Sequence, residues 1–105
     1  MSSRIVIVAY KPKPGKENEL KRLAKGHHDV LWEQGLVTER KPILMQSGDK
    51  TIIEVFEWKS EDIIKHAHTN PAVLKLWEQY SQVCDYIPVA NVTESASLFS
   101  EFSPV

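Results

Sequence analysis

The segment Arg4 to Tyr10, RIVIVAY, is a continuous apolar run rich in β-branched residues. Such a run forms a strand that is apolar on both faces, because strand side chains alternate sides, and both faces then have to be covered. The run ends at Lys11-Pro12-Lys13-Pro14-Gly15, a turn sequence that does not continue a regular element. A second strand pattern, Thr51 to Trp58, adds chemistry to the alternation. Ile52, Glu54, Phe56 and Trp58 share one face, while Ile53, Val55 and Glu57 share the other. A carboxylate therefore lies in line with two large aromatic rings.

The elements between and after these strands follow from periodicity and caps. From Lys16 to about Gln34, the residues Leu20, Leu23, Ala24, His27, Val30 and Leu31 recur at helical spacing, and Gly35 stops the helix. Leu36 to Met45 reads as a strand interrupted by Pro42, which suits an edge or a bulge. Ser47-Gly48-Asp49-Lys50 is a hairpin turn into Thr51–Trp58. Ser60 is an N-cap, with Glu61 and Asp62 in the first turn of a short helix. Asn70-Pro71 opens another helix, whose buried stripe is Val73, Leu74, Trp77, Tyr80 and Cys84 and which ends near Pro88. Val89 to Ser95 is expected to be a crossing loop, and Ser97 to Pro104 a last strand. The order strand, helix, strand, strand, helix, strand is the split βαβ, ferredoxin-like arrangement.

Composition excludes several classes of function. The 105 residues make one domain, with a net charge of -1 from interspersed acids and bases. Nothing in that charge pattern marks a nucleic-acid or anionic-membrane surface. The single cysteine, Cys84, cannot pair within the chain and fits a small buried hydrophobe in a reducing compartment. The apolar run at the N-terminus is too short for a signal peptide or a membrane span, so a cytoplasmic protein is expected. His27-His28-Asp29 diverge on a helix, as do His66 and His68, so no metal site is expected. His27, on the apolar stripe, is expected to be a core or interface histidine, and His28 to face solvent.

The element order, the turn after VAYKPKPG, the segment IIEVFEWKSED and the following AHTNPAVLKLW are similar to the antibiotic biosynthesis monooxygenase family of dimeric α/β barrels. The resemblance covers nearly the whole chain. It implies an α+β, ferredoxin-like βαββαβ subunit: an antiparallel sheet with helices on one face and a second subunit on the other. That would cover the first strand on both sides, in an obligate homodimer burying more than about 2,000 Å² in total. It also implies a small-molecule cavity between sheet and helices, lined by the tryptophan at the end of the third strand, which is Trp58. Members that oxidise quinols without a cofactor carry an asparagine four residues before that tryptophan, where this chain has Glu54. Heme-degrading members use an asparagine in the first strand and a histidine in the long last helix. Neither is present here, and no cofactor is expected.

The function implied is that of a small-molecule-binding protein, and cofactor-independent monooxygenation of a small aromatic or quinol compound is the activity to which the resemblance points. The alternative is a non-catalytic binding protein of the same fold. Glu54 is costly to bury without a partner, so it is either ion-paired to a lysine or arginine, or placed near the sheet's open end, or serves as a base or substrate-orienting acceptor. His68 is the second candidate base, since imidazole suits proton abstraction near neutrality. Trp58 is the candidate stacking wall. Phe56, Tyr10, Trp77, Tyr80 and His66 complete the candidate binding residues.

Overall fold

The computed structural model describes residues 2–105. Strand β1 (Arg4–Pro12) is followed by helix α1 (Glu17–Glu33), strands β2 (Ile43–Gln46) and β3 (Ile52–Trp58), helices α2 (Glu61–Ala67) and α3 (Pro71–Val83), strand β4 (Cys84–Ile87), two 3-10 turns (Val89–Asn91 and Thr93–Ala96) and the two-residue β5 (Ser103–Pro104). The strands form one sheet in the order β4-β1-β3-β2-β5, every neighbouring pair antiparallel. This is the expected α+β, ferredoxin-like architecture, with the helices on one face.

Local chemistry explains where the elements start and stop. Helix α1 ends in a Schellman motif: Gly35, at φ +71°, donates its N–H to the Trp32 carbonyl, and Leu36 donates to Leu31. Ser60 Oγ accepts the Ile63 N–H at the start of α2, and Asn70 Oδ1 accepts those of Ala72 and Val73 at the start of α3. In the β2–β3 turn the left-handed residue is Lys50, at φ 75°, rather than Gly48. The Asp49 carboxylate, held below its usual range by the Ser47 hydroxyl and the Thr51 N–H, braces that turn. The segment expected as one strand from Leu36 to Met45 is split around Pro42: Val37 makes an isolated bridge to Trp58, and regular pairing resumes at Ile43.

The last strand differs from expectation. Helix α3 stops at Val83 and the chain enters β4 with no intervening loop. There Cys84–Ile87 pairs with Pro12–Ala9 and satisfies the outer edge of β1, which therefore extends two residues beyond Tyr10. Ser97 to Pro104 is not the fourth strand. Only Ser103 and Pro104 join the sheet, opposite Gln46 and Met45, and Val105 donates its N–H to the Leu44 carbonyl.

The core lies between sheet and helices. Leu20, Ala24 and Leu31 of α1, and Val73, Leu76, Tyr80 and Val83 of α3, meet Tyr10, Ile52, Phe56 and Trp58 of the sheet. Each fully buried aliphatic side chain there stabilises the fold by roughly 1.5–3 kcal/mol. The opposite face is only partly covered: Ala9 and Ile53 pack under Val92, with Phe102 alongside. On that face Ser3 Oγ, Thr38 Oγ1 and Arg40 Nε, at 2.6, 2.8 and 3.0 Å, hold the Glu57 carboxyl down to about 2. Because Phe102 and the β5 pairing close the β2 edge, truncation before Phe102 should lower Tm by about 5–15 °C while leaving a folded protein. Thermal denaturation followed by circular dichroism checks this, and an unchanged Tm would show that the tail adds nothing.

Candidate functional site

On the helix-facing side of the sheet the register sets Val6 beside Phe56, Val8 beside Glu54 and Tyr10 beside Ile52, with Tyr86 of β4 across from Tyr10. These positions, with α1 and α3 above them, enclose a cavity of about 390 Å³ lined by Val6, Val8, Tyr10, His27, Phe56, Trp58, Trp77 and Tyr86. Its size falls in the ~300–1,000 Å³ range of small-molecule sites. The wall is mostly apolar and aromatic. Phe56 and Trp58 lie 5.2 Å apart at 60°, and the His27 ring meets Phe56 edge-on at 5.3 Å.

Behind this wall lies a buried polar cluster. Glu54 is wholly buried, and its Oε1 accepts the Tyr10 hydroxyl at 2.8 Å. His27 Nδ1 lies 2.8 Å from the same oxygen, at ion-pair distance but off the axis of a linear hydrogen bond. Glu54 Oε2 and the Tyr80 hydroxyl are occluded and have no hydrogen-bond partner among the described residues. Tyr80 stacks on Tyr10 at 4.7 Å and 21°. Burial, reinforced by the Glu54 charge, raises both of these phenols well above the usual tyrosine range. Tyr86, half-exposed at the cavity mouth, is pushed up to about 12, chiefly by burial. Cys84, buried and free, hydrogen-bonds the Tyr80 carbonyl, and burial lifts its thiol to about 11.

The residues singled out in the sequence separate into groups. Trp58, Phe56, Tyr10 and Trp77 line the cavity, while Glu54 and Tyr80 lie behind its wall. His68 stands on the solvent side of Trp77, edge-on at 5.2 Å, and does not line the cavity. His66, exposed in the last turn of α2, is also off the cavity. Glu54 has no lysine or arginine partner among the described residues; its cationic candidate is His27. His27 is a core residue, as expected, but it is also a cavity wall. The sequence held two separate hints, one imidazole on an otherwise apolar stripe and one carboxylate on an otherwise apolar strand face, without bringing them together. Tyr86 was missed because α3 was read as continuing to Pro88. Among the described residues no group of three or more His, Cys, Asp or Glu side chains converges as a metal site.

No protein-family model matches the chain, and no curated protein matches it in sequence. Solved structures do. The chain is similar to SnoaB, a cofactor-independent oxygenase from Streptomyces nogalater, with a TM-score of 0.69 and 11% identity over 83% of this chain and 88% of that one. It is also similar to a candidate antibiotic biosynthesis monooxygenase from Nitrosomonas europaea, with a TM-score of 0.58 and 13% identity over 82% and 94% of the two chains. At these identities the likeness is one of fold: the chain has the ferredoxin-like α+β subunit fold of the antibiotic biosynthesis monooxygenase type, the resemblance its sequence carries.

Proposed function

We propose that the protein binds a small planar aromatic hydroxy compound between sheet and helices and oxidises it with dioxygen, without a cofactor. The observation that carries this reading is the aromatic-walled cavity backed by a wholly buried carboxyl and imidazole. Trp58, Phe56 and Trp77 offer faces and edges to a flat ring, and the apolar wall excludes water from an anion formed there. In such chemistry the compound supplies all the electrons. Its hydroxyl proton passes to a base, and the anion, delocalised onto a ring carbon that bears hydrogen, gives one electron to dioxygen. The radical pair then joins through a new C–O bond, and the proton returns to the outer oxygen to give a hydroperoxide. Loss of the C–H proton, with cleavage of the O–O bond, leaves a carbonyl and one molecule of water. The protein contributes orientation, proton transfer and stabilisation of the anion.

Assembly belongs to the same proposal. Ile5, Ile7 and Ile43 are each more than half exposed on the open sheet face, and Val55 lies between Ile7 and Ile43 in the ladder. A second copy is the cover that suits this apolar row, giving a homodimer. No helix among the described residues is long and apolar enough to cross a membrane. The cytoplasm suits the buried free thiol of Cys84.

The test is oxygen uptake with a panel of quinols, catechols and fused-ring phenols against a no-protein autoxidation control, with binding followed by tryptophan fluorescence. Uptake above the control, and binding weakened about tenfold by Trp58→Ala, is the expected result. Quenching without uptake would assign the cavity to binding alone.

A further inference from the structure

We propose that His27 is the catalytic residue that accepts the proton of the bound compound, that Glu54 positions it, and that the compound therefore enters as an uncharged, weakly acidic hydroxyl. This rests on the reading of the cavity as a small-molecule site. Three observations carry it. First, His27 lines the cavity and Glu54 does not; the Glu54 oxygens are taken up by Tyr10 and His27 or are occluded. A ligand hydroxyl can meet the imidazole, but it meets the carboxyl only through another side chain. Second, the two ring nitrogens differ. Nδ1 is occluded 2.8 Å from Glu54 Oε1, within reach of the carboxylate though not aligned for a linear hydrogen bond, while Nε2 makes no hydrogen bond among the described residues and is not among the occluded atoms. A nearby carboxylate favours the proton on Nδ1, and in that tautomer Nε2 carries the lone pair that can accept a proton. Third, the charge balance suits acceptance of a proton. When the hydroxyl gives its proton to Nε2, its electron pair stays on the compound as an aryloxide, and the imidazolium formed is matched by Glu54 in a dry environment.

The titratable groups facing His27 are Glu54 from β3, Tyr10 from β1, Tyr80 from α3 and, across the cavity, Tyr86 from β4. The three phenols are held protonated by burial, so none competes as the base. His68 and His66 lie outside. An anionic compound, by contrast, would meet the Glu54 charge without a proton to give up, so the site should discriminate against carboxylated analogues.

Para-nitrophenol tests this without turnover, because its anion absorbs in the visible and its neutral form does not. Below the compound's own pKa, the wild-type protein should bind it with quenching of tryptophan fluorescence and with the anion band. His27→Asn keeps an amide N–H where Nδ1 was but removes the Nε2 acceptor. It should still bind the compound, in its neutral form, with the band lost. His27→Gln is the second variant should the first not fold, and Glu54→Gln should reduce the band with less effect on binding. With any quinol found to turn over, the acidic limb of the kcat/KM profile should vanish in the His27 variants, and turnover should fall by ~10²–10⁴-fold. Binding of the neutral form by the wild type, or an anion band that persists in a His27 variant, would overturn the assignment of His27 while leaving the cavity reading intact. Absence of any quenching would overturn both.

Discussion

Raising the pH from about 8 to about 11.5 is expected to remove about 4 kcal/mol of stability through two buried phenols alone, in addition to what the raised Cys84 thiol and Tyr86 phenol give up. The cause is the buried pair Tyr10 and Tyr80, whose phenols stay protonated in the folded chain well past the pH at which an exposed phenol ionises. Above about pH 10 the unfolded chain therefore binds fewer protons than the folded one, and stability falls with a slope of about 1.4 kcal/mol per pH unit for each such group. The contribution is complete below the unfolded-state value and drains away as the pH climbs towards the folded-state values. Against a total of about 5–15 kcal/mol, this is enough to bring unfolding close to room temperature. Urea titrations at fixed protein concentration across that range measure it, and Tyr80→Phe should flatten the slope by the share of one group. Equal slopes in parent and variant would mean that the phenol stack is open to solvent.

In the proposed homodimer, Ile7→Glu is expected to convert a particle of twice the 12.0 kDa chain mass into one of the single-chain mass. Ile7 is 53 % exposed on the open face, where it sits beside Val55 and in line with Ile43, so its side chain contributes little to the subunit core. A charge there costs the lone subunit almost nothing, yet at an interface between two sheets it would be buried unpaired, at several kcal/mol. Light scattering behind a sizing column gives the mass, and circular dichroism should show the secondary structure unchanged. A variant that keeps the mass of its parent would remove the open face as the interface.

Much of this arrangement was legible in the residues, where a local rule and the tertiary contacts agree. Gly35, Ser60 and Asn70-Pro71 mark helix ends by chemistry that acts within a few residues, and the structure uses each of them. The two faces of Thr51–Trp58 were likewise readable, because a period of two needs no knowledge of partners. Cys84–Ile87 was not, because its stripe continues that of α3; what ends the helix is the open edge of β1, a demand made by residues more than seventy positions earlier. Ser97–Pro104 failed for the converse reason: it has strand-like residues but finds an edge only at Ser103 and Pro104, leaving Leu98 and Phe99 exposed. The site follows the same division. Periodicity set Phe56 and Trp58 on one strand face and the family resemblance made that face a cavity wall, whereas the approach of His27 to Glu54 depends on how α1 lies across the sheet, which no spacing within either segment encodes.

The direct passage from α3 into β4 constrains how this cavity can vary. Trp77 and Tyr80 on the helix and Tyr86 on the strand belong to one unbroken piece of backbone, fastened where Lys13 donates its N–H to the Val83 carbonyl at 2.8 Å. With no slack at the joint, a single inserted residue would reverse the strand's alternation, turning Tyr86 to the far face and bringing Asp85 to the cavity. Length variation is therefore closed to this corner of the molecule. A differently shaped cavity would have to come from exchanged side chains along α3 and β4, or from the turn between α2 and α3, where the chain does have residues to spare.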